Sequence, residues 1–481
     1  MPDYESVIGL EVHAQLLTKS KMFCSCAASY GDLPGTNVCP VCLGHPGSLP
    51  VVNGSAVDMA GCLAAALNCR IHSKSLFARK NYIYPDLPKG YQVSQYESPL
   101  AEGGWLTIES GNANKRVGIT RVHLEEDAGK SLHEGFRDSS DHTYIDFNRA
   151  GVPLIEIVSE PDLRLPEEAY LYLVRLKQIL TYLGICSGKM EEGSLRCDVN
   201  VSLRPRGSVE MGEKVEIKNL NSFRNAEAAL QFEIARQSSL LESGGEIKPE
   251  TRLYDAEGRR TILMRTKEEA DDYRYFPEPD LPPLVLSDEQ IQTMCASVPE
   301  LPHEKKSRYV EEWKLTEKEA DILTDDHRLA VYFEQTAAAC GDPRTACHWI
   351  LTEVLSVLKE SASGSEKFAV GPSALGDLLR RLQEGTVSGK LAKDIFSRMI
   401  ETGRDAGYFV ETMGMVQISS EEELRPIVEK VVTGHPKEAE AFRNGKSKLF
   451  GYFVGCVMKE TGGKANPKVA TRLLHQELKG K

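Results

Sequence analysis

Strict alternation of apolar and polar residues marks several stretches of this chain as half-buried strands. From Val7 to Leu16, the residues Ile8, Leu10, Val12, Ala14 and Leu16 form an apolar face opposite Glu11, His13 and Gln15. From Ser194 to Ser202, Leu195, Cys197, Val199 and Val201 face one way, and Arg196, Asp198 and Asn200 face the other. Val215–Asn221 alternates too, with Glu216 and Lys218 on one face. Val122 and Leu124 point inward from a further strand, and Glu156 interrupts an apolar Leu-Ile-x-Ile-Val strand. The period then changes. Pro166 opens a helix whose apolar positions Ala169, Leu173, Leu176, Leu180 and Leu183 follow the helical repeat as far as Gly184. Helices are also predicted over Val57–Leu67 and from about Arg224 to Leu241. The proline-dense stretch Asp271–Pro283 reads as a domain exit. Beyond residue 288 the pattern is helical to the end, with a Gly/Ser-containing break over 361–372. The fold class is α+β: a strand-rich first half followed by an all-α second half.

The polar faces carry an unusual set of groups. Arg196, Asp198 and Asn200 stand in one row, with Glu191 and Glu192 just upstream. Such a row suits divalent metal and phosphate, although a plain solvated face explains any one strand taken alone. Glu11 and His13, two apart on a strand, can reach one cation. Glu125, Glu126 and Asp127 crowd at a strand end and repel one another unless a cation offsets them. A carboxylate at Glu156, inside an apolar strand, sits at an edge or is held by a cation. Lys80 lies in a rigid loop that mixes cations, aromatics and prolines over Arg79–Ser94, as stacking and phosphate contact require.

Cys24-Ser-Cys26 and Cys39-Pro-Val-Cys42 are separated by 12 residues in a loop rich in Gly and Pro. Four thiolates in two close pairs make a closed tetrahedral zinc site, hence a structural one. The other eight cysteines lack metal spacing and read as small buried hydrophobes.

With 481 residues the chain is too long for a single core. A net charge of -12 excludes a generally basic nucleic-acid binder, but residues 388–481 hold 16 Lys and Arg against 12 acids, which permits local contact there. The acidic start is no signal peptide, and no apolar run is long enough to span a bilayer, so a cytoplasmic location is expected. Twelve cysteines without secretion signals point to a reducing compartment. No Walker A motif occurs: Gly445-Lys446-Ser447 has its ending, but Glu440 stands where the first glycine belongs. Any use of ATP must rest on strand-borne carboxylates and metal.

Val7–Leu16, Arg79–Asp86, His123–Lys130, Pro153–Asp162, Lys189–Ser202, Lys218–Phe223 and Asp271–Asp280 together resemble the GatB family of glutamyl/aspartyl-tRNA amidotransferase subunits. The stretch through Lys464–Pro467 resembles the family's helical tail domain. The resemblance implies a cradle-like catalytic sheet domain over 1–292 with the four-cysteine knuckle, a helical domain over 293–406 and a tRNA-binding tail domain over 407–481. It implies an ATP-dependent carbon–nitrogen ligase using glutamine as amide donor. ATP and Mg²⁺ would serve to phosphorylate the side-chain carboxylate of Glu on tRNA(Gln) or Asp on tRNA(Asn). Ammonia would come from a partner amidase subunit, with a small third subunit completing the complex. Glu11, His13, Glu126 and Glu156 match family positions around magnesium; Glu125, Glu192, Asp198 and Asn200 lie on neighbouring polar stretches. Lys80, Arg196 and Lys218 are candidates for phosphate or substrate charge by their chemistry. The alternative is a zinc-knuckle tRNA-binding scaffold whose sheet face is merely polar. A free-standing small-molecule ligase would leave the helical tail without a purpose.

Overall fold

The structure, a computed structural model, describes residues 4–111, 113–133, 135, 137–266, 273–360, 368–412, 418, 420–462 and 464–479. Met1 to Asp3, Asp271, Asp272, Gly463 and most of the 361–372 break lie outside these. The chain divides into two units, Met1–Pro302 and His303–Lys481.

The first unit is built on a nine-stranded sheet. In chain order its strands are β1 (Tyr4–Gln15), β2 (Arg70–Ile71), β3 (Ala101–Ser110), β4 (Ala113–Glu126), β5 (Pro153–Ser159), β6 (Leu195–Pro205), β7 (Val215–Lys218), β8 (Glu250–Asp255) and β9 (Arg260–Thr266). They lie in the order β9-β8-β7-β6-β1-β5-β4-β3-β2. All neighbours are antiparallel except β7 and β8. The first strand of the chain is thus central, paired with β5 on one side and β6 on the other.

Period 2 gives the sheet two unlike faces. Ile8, Leu10, Val12 and Ala14 of β1 join Val122, Leu124, Ile155, Ile157, Val199 and Val201 in one core. Helices α1 (Gly54–Ala66), α2 (Pro166–Tyr182) and α3 (Phe223–Glu242) supply the other half of that core through Leu63, Tyr172, Leu176 and Leu230. Each helix starts where its sequence directs. Asn53 and Ser222 cap α1 and α3 by accepting backbone N–H groups, and Pro166 opens α2 with Glu168 reaching back to the chain before it. A fourth helix, α4 (Asp288–Ala296), packs Met294 against Gly61, where an added Cβ would lie 2.3 Å from the Met294 sulfur. The first unit therefore runs past residue 292 to Pro302.

The second unit is helical, with two separate apolar cores. One gathers Tyr309, Phe333, Ile350, Leu378 and Phe396, and the other Leu424, Val428, Phe453 and Leu474. No described helix is long and apolar enough to cross a membrane.

Candidate functional site

The face of the sheet opposite the helices carries the polar residues. Register fixes their order: Arg196 pairs with His13, His13 with Glu156, and Glu156 with His123. Two residues along, Asp198 pairs with Glu11, and one strand over Asn200 pairs with Glu216. Glu125 extends the group from β4.

Three of these side chains converge. The Nε2 of His13 lies 3.5 Å from a Glu125 oxygen and 3.5 Å from a Glu156 oxygen. One ligand atom from each of His13, Glu125 and Glu156 falls within 4.8 Å of the others. His123 backs the cluster, with Nε2 3.2 Å from Glu156, while its buried Nδ1 has no hydrogen-bond partner among the described residues. The ring of His13 is 20% exposed, whereas the Glu125 side chain is only 3% exposed. Burial pushes the Glu125 carboxyl up, His13 opposes this, and Glu156 pushes further. Burial also disfavours the Glu156 charge, but His123 and His13 outweigh it and hold the carboxyl well below its ordinary range. Burial disfavours the His13 cation as well; Glu156 and then Glu125 overcome that and raise it to about 9. One imidazole and two carboxylates packed this closely form a donor set for a hard divalent cation. The residues present fit magnesium.

The other sequence candidates take definite places. Glu11 accepts a hydrogen bond from Asn200 (2.9 Å), whose own carbonyl oxygen is buried without a partner among the described residues. Lys218 bridges Asp198 (2.5 Å) and Glu216 (2.9 Å), and these two carboxylates raise its pKa against the opposing effect of burial. Arg196 is held 3.0 Å from Asp127, which also accepts from Gln15 (2.8 Å). Lys80 sits 4.7 Å from the Tyr273 ring centre and close enough for its charge to act on Glu125. Glu192 pairs with Lys189 in the turn before β6, apart from the cluster. Glu126 is also apart: it takes the hydrogen bond of the Val93 N–H (2.9 Å) and an ion pair with Lys89. It follows Glu125 on one strand, so the two side chains leave opposite faces. The expected grouping of Glu126 with His13 is therefore replaced by Glu125 with His13.

His123 and Lys89 were not singled out by the sequence, and Asp127 was read only as one of three crowded acids, not as the partner of Arg196. His123 had a signal, since it alternates with Val122 and Leu124 and so shares the face of Glu125. Lys80 and Lys218 both line an open cleft of about 1110 Å³, together with Tyr82, Tyr273, Arg274 and Phe276.

The Cys24, Cys26, Cys39 and Cys42 sulfurs lie within 4.8 Å of one another. Cys39 and Cys42 are 3.9 Å apart. A tetrahedral zinc with Zn–S bonds of about 2.3 Å needs sulfurs about 3.8 Å apart. The Cys42 sulfur also accepts the Cys39 backbone N–H at 3.2 Å. Four converging thiols fit zinc.

Residues 6–292 match the GatB/GatE catalytic domain family, and residues 331–478 match the GatB domain family. The chain is 49% identical over 478 residues to the aspartyl/glutamyl-tRNA(Asn/Gln) amidotransferase GatB-type subunit of Carboxydothermus hydrogenoformans, covering 99% of each chain. It is 50% identical over 476 residues to that of Thermodesulfovibrio yellowstonii, again covering 99% of each. For the Persephonella marina protein of the same name the identity is 49% over 478 residues, 99% of this chain and 100% of the relative. With matches this long at both ends of the chain, the protein belongs to the GatB family of aspartyl/glutamyl-tRNA(Asn/Gln) amidotransferase subunits.

Proposed function

We infer that the chain is the carboxylate-activating subunit of a glutamine-dependent tRNA amidotransferase. The observation that carries this is the convergence of His13, Glu125 and Glu156 on the open sheet face, within 4.8 Å of one another. The substrates are Glu on tRNA(Gln), Asp on tRNA(Asn) or both, with ATP as phosphoryl donor. A carboxylate resists attack by ammonia because its charge and resonance make it a poor electrophile. Converting it to an acyl phosphate supplies a leaving group; ammonia then displaces phosphate and leaves the amide.

His13, Glu125 and Glu156 would hold magnesium, with Glu11 beside them. An ion held there would supply charge neutralisation for the transferring phosphoryl group. The chain's own residues do the rest. Lys80 and Lys218 bring positive charge to the cleft, where phosphate oxygens and the substrate carboxylate need it. Asp198 and Glu216 keep the Lys218 ammonium in place. Asp127 does the same for Arg196. Tyr82 and Tyr273 offer flat apolar walls in the same cleft. The division 1–292, 293–406 and 407–481 assigns chemistry to the sheet and tRNA binding to the tail. The four cysteines hold structural zinc. An amidase subunit supplying ammonia and a small third subunit complete the complex, which works in the cytoplasm where its tRNA is used.

The test is phosphate release from ATP by the assembled complex, with magnesium and mischarged Glu-tRNA(Gln), with and without ammonia. Release that depends on the mischarged tRNA is expected. Tight tRNA binding with no such release would sink this reading and leave a tRNA-binding scaffold.

A further inference from the structure

The cysteine knuckle has a neighbour that zinc alone does not explain. Lys21 is 1% exposed, among the largest fully buried side chains. Its ammonium donates to the carbonyls of Asn37 (2.6 Å) and Phe147 (3.4 Å) and lies 3.7 Å from the Cys42 sulfur. These are its polar partners among the described residues, and none is a carboxylate. A buried ammonium without counter-charge is strongly unfavourable. Four neutral thiols would offer it none. Four thiolates around one divalent zinc carry a net negative charge and would.

We propose that Lys21 is the counter-charge of the zinc–thiolate centre and the tie by which that centre fixes the loop Phe147–Gly151. The inference rests on the zinc reading of the four cysteines and goes beyond it. Several contacts make the loop a rigid link. Asn148 accepts the Asn37 N–H (2.9 Å) and donates to the Leu33 carbonyl (2.8 Å). Gly151 has a positive φ of 85°, and a Cβ there would lie 3.3 Å from the Cys42 Cβ and 3.5 Å from Lys21 Cδ. Its carbonyl accepts the Met22 N–H (2.7 Å), and its N–H donates to the Asp127 carbonyl (2.8 Å). Arg149 donates to the Ala128 carbonyl (3.0 Å) and lies 3.8 Å from the Asp127 carboxylate. Asp127 in turn holds Gln15 and Arg196 on the polar sheet face. Lys21 touches no reacting atom; it is a positioning residue, linking a structural metal to the side-chain order of the site.

The experiment uses the full chain. Zinc content of the wild type is measured first, then zinc release to a chromogenic chelator for wild type and Lys21→Gln. Gln keeps a hydrogen-bond donor and loses the charge. Release about 10- to 100-fold faster in Lys21→Gln is expected, as for other supports of metal ligands. The cobalt-loaded variant should also show a shifted thiolate-to-cobalt absorption band. A wild type without zinc would overturn the zinc reading and this proposal together. A zinc-bound wild type whose Lys21→Gln variant releases metal at the wild-type rate would overturn the proposal alone. If Lys21→Gln does not fold, amide hydrogen exchange of the wild type with and without zinc decides. Faster exchange across residues 147–151 on zinc removal supports the tie, and unchanged exchange there overturns it.

Discussion

Two groups of buried charge flank the same sheet and are balanced in opposite ways. Glu233 on α3 is fully buried, and cations and donors surround it: Arg236 (2.6 Å), Arg252 (3.4 Å), Gln237 (3.0 Å) and Thr261 (2.7 Å). On the opposite face Glu125 and Glu156 crowd one another and share two imidazoles, one of which keeps a nitrogen without a partner among the described residues. The first group is closed and joins a helix to strands β8 and β9. The second sets two carboxylates against the same pair of imidazoles. A saturated carboxylate holds a fold together, whereas an unsaturated pair is arranged for something that arrives later.

Breaking the closed group should have the largest effect. Glu233→Ala takes the buried carboxylate from Arg236 and Arg252, leaving them Glu250, and should lower stability by about 3–5 kcal/mol, seen as a large fall in Tm. A Tm close to wild type would erase the distinction between the groups. Glu125→Gln should do the reverse. It should reduce tRNA-dependent turnover about 10²- to 10³-fold, the loss of several kcal/mol of charge stabilisation. Thermal stability should hold or rise, because a repelling charge is gone. A variant with wild-type turnover would remove Glu125 from the site.

The pair between Arg79 and Glu278 supplies a pH test of closed pairing. Burial alone would raise the Glu278 carboxyl, but hydrogen bonding to Arg79 outweighs it and lowers the pKa below the ordinary 4.5. A carboxyl depressed on folding stabilises above its unfolded value, and the gain is lost as pH falls through the folded one. Glu278→Gln should cost about 1.5–3 kcal/mol near neutral pH, and the deficit should shrink below pH about 4.5 in urea melts. A deficit that does not change with pH would mean the charge contributes nothing. The smallest effect on magnesium dependence belongs to Glu126→Gln. With its carboxylate on Lys89, the substitution should leave the magnesium dependence of activity unchanged, while Glu125→Gln weakens it. Equal effects would return Glu126 to the metal group.

These contrasts show which parts of the molecule could be read from residues alone. Alternation in β1 and β6 gave both faces of the central strands, because a side-chain period of 2 is local. The same rule separates Glu125 from Glu126 once Val122 and Leu124 point inward, yet three adjacent acids read more readily as one cluster. The cysteine pairs were legible because both halves of that site lie within one loop. Which carboxylate each cation finds was not. Lys218 meets Asp198, and Arg196 meets Asp127, only through strand register and loop packing. The Lys89–Glu126 pair likewise joins two segments with no common pattern.

The central place of β1 has a consequence for how the molecule is made. Glu11 and its neighbours are synthesised long before their partners, residues near 158 and 198. During vectorial synthesis β1 has no native edge to join until β5, near residue 158, has left the ribosome. Until then an apolar face of Ile8, Leu10 and Val12 is exposed. Long-range pairing of this kind is slow, because loop closure precedes any reward. The nascent chain should therefore be a client of ribosome-associated chaperones, and fragments ending before β5 should aggregate where longer ones stay in solution.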